Sequence, residues 1–173
     1  IRLFPPGGIF QAASPARLQR IYEQQLSHPD YSAFLAANVP IIGTWDDHDF
    51  GINDGDATYP HRNESRQMFL DFIGEPTDSF RRRREGVYES YVYNFGHGEA
   101  GRKVLVVLLD LRFNKDPYGT LDGDFLGEDQ WRWLNSTLAA SSCDVTIIVS
   151  SLQFLQGRPV LGENWNRFPA ARQ

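Results

Sequence analysis

The sequence has little sulfur, a deficit of basic charge and no long apolar run. Cys143 is its one cysteine and Met68 its one methionine among 173 residues. One cysteine permits neither an intrachain disulfide nor a cysteine-rich zinc site, so stability has to come from packing. The longest uninterrupted aliphatic stretch is Val104–Leu109, far below the roughly 20 apolar residues that cross a bilayer, and no membrane span is expected. No basic-then-apolar leader opens the chain; either the protein is not exported or its leader lies outside these residues. Seventeen basic against 22 acidic side chains leave a net charge of −5, opposite to the footprint of a duplex-binding protein, so a nucleic-acid duplex is not an expected partner. No G-x-S-x-G elbow, P-loop or H-E-x-x-H occurs, which removes three common catalytic signatures.

What is present fits a packed globule. Hydrophobic residues make up 41% and aromatics 13%, led by 12 Phe and 7 Tyr, too apolar for a solvated tail. The length is that of one domain, and surface scaling lets about 70% of the unfolded area be buried. Ser14-Pro15 reads as an N-cap with proline in the first helical turn, and Leu18, Ile21, Tyr22 and Leu26 recur at helical spacing, predicting a helix over Pro15–Ser27. Pro29-Asp30 restarts a short apolar segment through Phe34 and Leu35. Val39–Gly43 reads as a short buried strand leading into Trp45-Asp46-Asp47-His48. A loop follows from Phe50 to Pro60, then a helix from Asn63 to Ile73 stopped by Gly74. Val87–Phe95 and Lys103–Asp110 read as an antiparallel strand pair, residues 127–138 as a helix opening at Gly127-Glu128, and Asp144–Val149 as another buried strand. Helices between aliphatic strands predict an α/β layered domain.

The densest chemical cluster is Trp45-Asp46-Asp47-His48-Asp49, extended by Asn53, Asp54 and Asp56. Carboxylates this crowded repel one another unless a cation, a cap or solvent absorbs the charge. Two readings compete: a hard-cation site with a histidine beside it, and a solvated acidic turn capping the next helix. Placement at a strand's carboxyl end favours the first. An EF-hand loop starting at Asp49 is excluded, because Asp54 and Pro60 occupy its glycine and glutamate positions.

Other motifs carry less. Gly96-His97-Gly98-Glu99-Ala100-Gly101 matches the dinucleotide fingerprint, but Arg102-Lys103-Val104-Leu105 after it is a strand and not a helix; a glycine-rich hairpin with an exposed His97 is expected. The Arg81–Arg84 run reads as a solvated loop face beside Asp78, Glu85 and Glu89. Asp110 and Arg112, two apart at the end of the aliphatic strand, share one face, as a structural ion pair or as a phosphate contact.

The string Gly43-Thr44-Trp45-Asp46-Asp47-His48-Asp49-Phe50-Gly51-Ile52-Asn53-Asp54-Gly55-Asp56 resembles the signature of the alkaline phosphatase D family, the PhoD-like metallophosphoesterases. Gly86-Val87-Tyr88-Glu89-Ser90-Tyr91, Leu108-Leu109-Asp110-Leu111-Arg112, Leu126-Gly127-Glu128-Asp129-Gln130-Trp131 and Glu163-Asn164-Trp165-Asn166-Arg167-Phe168-Pro169 add to it in the family's order. The resemblance implies a calcineurin-like sandwich of two β-sheets flanked by helices, of which residues 1–173 would be the central part of one domain. It also implies hydrolysis of phosphate mono- or diesters with calcium and iron (Fe3+) and a location outside the cytoplasm. By the same resemblance His48 faces the substrate phosphate, Asp47 and Asn53 are metal ligands, and Asp46, Asp110 and Arg112 orient ligands or substrate. The family's Gly-Asp-x-x-Tyr and Gly-Asp-x-His blocks are absent from these residues. A second expectation, from another class, is therefore a catalytically inactive domain serving as a structural or protein-interaction module; a third is a calcium-binding loop without chemistry.

Overall fold

Ser14 opens the first helix by accepting the Arg17 N–H on its hydroxyl at 3.3 Å, with Pro15 in the first turn, where its missing N–H costs nothing. In the computed structural model, which describes residues 12–96, 101–155 and 162–172, this helix is α1 (Pro15–Ser27). It is followed by α2 (Pro29–Ala36), α3 (Asp47–Phe50), α4 (Arg62–Phe72), β1 (Glu89–Phe95), β2 (Arg102–Leu108), α5 (Glu128–Ala140), β3 (Val145–Val149) and α6 (Pro169–Arg172). Single 3-10 turns cover Phe80–Arg82 and Trp165–Arg167.

The described strands form one mixed sheet in the order β1-β2-β3. β1 and β2 run antiparallel from Glu89↔Leu108 to Phe95↔Arg102; His97 lies outside the described residues. β2 and β3 run parallel from Val104↔Val145 to Leu108↔Val149, with α5 in the crossover that a parallel pair requires. An α/β architecture is thus present, but as a single sheet and not as two among the described residues. β3 is an edge strand, and its Val145, Ile147 and Ile148 are about half exposed.

Two aromatic-rich cores flank this sheet and the acidic turn. One joins Leu18 and Tyr22 of α1 to Trp45, Phe50, Tyr59, Phe69 and Leu70. The Trp45 ring meets Phe50 edge-on at 5.2 Å and Phe69 at 5.4 Å between centroids. The other core packs Leu105, Val107, Leu109 and Leu111 against Phe125, Leu134, Trp165 and Phe168.

Two expectations are corrected. Val39–Gly43 has no regular secondary structure and joins no strand among the described residues, and Val39 is 52% exposed. Pro40 has no N–H to donate to a ladder, and the Gly43 carbonyl accepts from Arg81 at 2.7 Å. Thr44 attaches the segment to the sheet by donating its hydroxyl to the Leu109 carbonyl at 2.7 Å, so the acidic turn still lies beside the carboxyl ends of β2 and β3. The arginine run is not a solvated face. Arg81 is fully buried, with its guanidinium on the carbonyls of Gly43 and Val87 and on Glu75. Arg82 holds Asp71, and Arg84 holds Glu89 while lying 4.1 Å from the Tyr88 ring centroid; Arg83 alone of the four is exposed. Buried carbonyls need donors, and a guanidinium supplies five in a fixed fork.

Asp110 ties these parts together. It is 1% exposed, and its carboxylate accepts from the Trp45 indole N–H at 2.8 Å and from the backbone N–H groups of Val87, Arg112 and Phe113 at 2.8, 2.8 and 3.0 Å. Its own backbone is bound on both sides by Gln130 of α5, at 2.8 Å each. The arrangement leaves no space at Gly86, where a Cβ would stand 2.8 Å from the Asp110 carboxylate at a φ of +75°. Removing that carboxylate strands four donors, three of them backbone N–H groups. We therefore expect Asp110→Ala to lower the unfolding free energy by roughly 3 kcal/mol or more in urea denaturation, and Gly86→Ala to be destabilising as well.

Candidate metal centre

The acidic turn is shaped by its own backbone. Asp46 precedes α3 and donates its N–H to the Asp49 carboxylate at 3.3 Å, a reciprocal cap on a very short helix. The Tyr22 hydroxyl donates to the Asp49 carbonyl at 3.0 Å, and the Ala13 N–H to the Gly51 carbonyl at 2.7 Å. Asp47 accepts the N–H of His48 on Oδ1 at 2.8 Å and the N–H of Asp54 on Oδ2 at 3.1 Å, so the 51–56 loop folds back over it. Gly55 allows this fold, because a Cβ there would meet the Phe50 ring at 2.6 Å and the Ile52 carbonyl at 2.9 Å.

The loop brings Asp54 beside Asp47, and Glu163 approaches both from far along the chain. One carboxylate oxygen from each of the three lies within 4.8 Å of the others. They line a polar cleft of about 460 Å³ together with Asp46, Ser151, Leu152, Gln153 and Gly162, at the carboxyl end of β3, where ligand sites in such sheets gather.

Glu163 is placed by buried cations. Arg112, with no exposed surface, binds its two carboxylate oxygens at 2.7 and 2.6 Å and reaches Asp46 Oδ1 at 2.9 and 2.5 Å. Lys115, equally buried, stands 3.7 Å from Glu163 and donates to the Asp54 and Gly55 carbonyls at 2.8 and 3.3 Å. The Tyr118 hydroxyl completes the set by donating to Glu163 at 2.5 Å. Burial works to raise the Glu163 carboxyl, but Arg112, Tyr118 and Lys115 outweigh it and hold the group below its ordinary range. Asp54 behaves oppositely: partial burial and the nearby Glu163 and Asp47 carboxylates push its pKa up, against Lys115. Burial lowers the Lys115 ammonium, with Glu163 acting against it.

The residues singled out in the sequence divide into two groups. His48, Asp47 and Asn53 come together: His48 Nε2 is 3.2 Å from Asn53 Oδ1 and 3.8 Å from Asp47 Oδ2. Asp46 lines the cleft with its carboxylate on Arg112. Asp110 and Arg112 do not line it, and they do not form the side-chain pair that their spacing implied, since the Arg112 guanidinium binds Asp46 and Glu163 while Asp110 serves the core. Glu163 and Ser151 line the site, and Lys115 stands behind it, with no prior signal as site residues, except that Ser151 lies two residues beyond a strand of the parallel pair.

The donor set matches a hard cation. It consists of carboxylate oxygens, with no sulfur or nitrogen among the three converging atoms, which suits calcium or magnesium better than a softer ion. A divalent charge would relieve the crowding that raises Asp54. Calcium takes six to eight oxygens, so these residues supply part of a shell, and nothing in the set selects iron.

The geometry of Glu163 depends on Arg112, since breaking a buried ion pair leaves charge uncompensated. Arg112→Met is expected to cost about 3–5 kcal/mol of stability by urea denaturation, and Arg112→Met combined with Glu163→Met distinctly less than the sum of the two single changes.

No family model matches the chain, and no curated protein matches it in sequence. Among solved structures, that of PhoD superposes with a TM-score of 0.67 at 19% identity, over 92% of this chain and 35% of that one. The chain thus spans about a third of the length of that structure. At this identity the likeness is one of fold: these residues share a PhoD-like α/β arrangement.

Proposed function

We propose that the chain forms part of a metal-dependent phosphoesterase acting on phosphate mono- or diesters, within a PhoD-like two-sheet domain. The observation that carries this reading is the convergence of the Asp47, Asp54 and Glu163 carboxylates within 4.8 Å in an open polar cleft, beside a histidine on the same turn. The PhoD-like fold supports it at the level of architecture.

Asp47 is the central ligand in this proposal, because its carboxylate is already oriented by two backbone N–H groups. Asp54 and Glu163 complete the oxygen set for calcium. Asn53, named as a ligand by family resemblance, has its side-chain oxygen against His48. Iron stays implied by that resemblance. A metal held here supplies charge that polarises a phosphoryl oxygen and makes water acidic enough to attack. The protein's own residues supply the rest. Protonated on both ring nitrogens, His48 would donate from Nε2 to Asn53 Oδ1, and the leaving oxygen of an ester would take that proton and leave a neutral imidazole, making His48 the general acid. Arg112 holds the Asp46 and Glu163 carboxylates in place, so their positions need no reorganisation when substrate arrives.

An aryl phosphodiester assay on the full-length protein, with calcium and iron supplied, tests the reading. His48→Ala is expected to lower kcat by about 10²–10⁴-fold while leaving calcium binding in place. Asp47→Ala is expected to lose both turnover and calcium binding, with the metal-free unfolding midpoint reporting that it still folds. Unchanged turnover in either variant refutes the assigned role.

A further inference from the structure

The charges around the cleft do not cancel within it. Among the described residues that line it, Asp46, Asp47, Asp54 and Glu163 carry carboxylates and none carries a cation. Two buried cations, Arg112 and Lys115, answer them from behind, and they do so in different ways. Arg112 binds Asp46 and Glu163 through hydrogen bonds that fix their direction. Lys115 Nζ stands 3.7 Å from Glu163, beyond hydrogen-bond distance. Its donors go instead to the backbone carbonyls of Asp54 and Gly55, at 2.8 and 3.3 Å.

A neutral donor could hold those two carbonyls without the desolvation that a wholly buried ammonium suffers. What surrounds Lys115 favours a charge: two carbonyls, the Glu163 carboxylate, and the face of the Tyr118 ring with its centroid 3.9 Å away. Burial lowers its pKa, aided by Arg112, and Glu163, Asp56 and Asp54 oppose the shift. The hydrogen bonds of Lys115 thus hold the loop, and its charge acts on the carboxylates. Set against the four lining carboxylates, Arg112 and Lys115 leave two negative charges, which is the charge that one divalent cation neutralises.

We propose that Lys115 is a built-in counter-ion of the cleft: its ammonium offsets the repulsion between the Asp54 and Glu163 carboxylates when no metal is bound, and opposes a divalent cation that enters between them. This rests on the metal-dependent reading above and adds to it the residue that sets how tightly the site holds its metal. Like charges behind one wall of carboxylates repel, so the wild type binds its cation less tightly and in exchange has a cleft that keeps its shape without one.

Calorimetric titration of calcium into the full-length protein tests the assignment, with thermal unfolding in chelator and in saturating calcium as the second readout. Lys115→Gln keeps a donor for the two carbonyls and loses the charge; Lys115→Met loses both. The two variants are expected to bind calcium about tenfold or more tightly than the wild type and to unfold at lower temperature in chelator. Calcium should restore most of that deficit, because tighter binding to the native state stabilises it more. Lys103→Met, at the opposite end of β2, is the control and should bind calcium as the wild type does. A neutral variant that folds only with calcium agrees with the assignment. Equal or weaker calcium affinity in the Lys115 variants overturns it and leaves the cation site standing. Failure of both variants to fold even with calcium also overturns it, since the lysine would then serve the fold alone. A wild type that binds no calcium overturns this inference together with the function proposed above.

Discussion

A single buried guanidinium decides the shape of the cleft. Arg112 has no exposed surface and divides its fork between Asp46, just before α3, and Glu163, two residues before the Trp165–Arg167 turn. Desolvating a cation is expensive, and the cost is offset only when its donors are matched by well-placed acceptors. Here two carboxylates and the Gly55 carbonyl provide them. The same pairing that makes Arg112 tolerable in the interior draws Glu163 to the acidic turn, and the three-carboxylate convergence depends on it.

Around this fork the structure separates charges that hold the fold from charges that face the cleft. Asp110 and Lys115 are buried and serve the fold, Asp110 by accepting from three backbone N–H groups and the Trp45 indole, and Lys115 by donating to two carbonyls. Asp47 and Asp54 lie toward solvent in the cleft. Glu163 belongs to both sets, which explains why its carboxyl is driven down while that of its neighbour Asp54 is driven up. The two neighbouring carboxyls thus shift in opposite directions, Glu163 down through Arg112, Tyr118 and Lys115 against its burial, and Asp54 up through burial and the adjacent carboxylates.

Much of the fold is written in local patterns. The limits of α1 follow from Ser14-Pro15, and the β1–β2 hairpin from two apolar runs around a glycine-rich break, because caps and hairpins are settled by neighbours in sequence. The joint placement of Asp47, His48 and Asn53 was legible for the same reason, since all three sit on one short turn. Val39–Gly43 shows the limit: a strand is defined by a partner, and an extended apolar run has no way of declaring whether one exists. Arg81–Arg84 shows another, since the buried carbonyls of Gly43 and Val87 that take up Arg81 are created only by folding. Glu163 stands in the Glu163–Pro169 motif, but its convergence on Asp54 is a tertiary event mediated by Arg112.

The most direct test of the account is a crystal structure of the protein grown with calcium or soaked in manganese, with anomalous scattering used to place the ion. The account predicts one ion in the cleft whose shell includes carboxylate oxygens of Asp47, Asp54 and Glu163. A cleft without an ion at millimolar metal would contradict it.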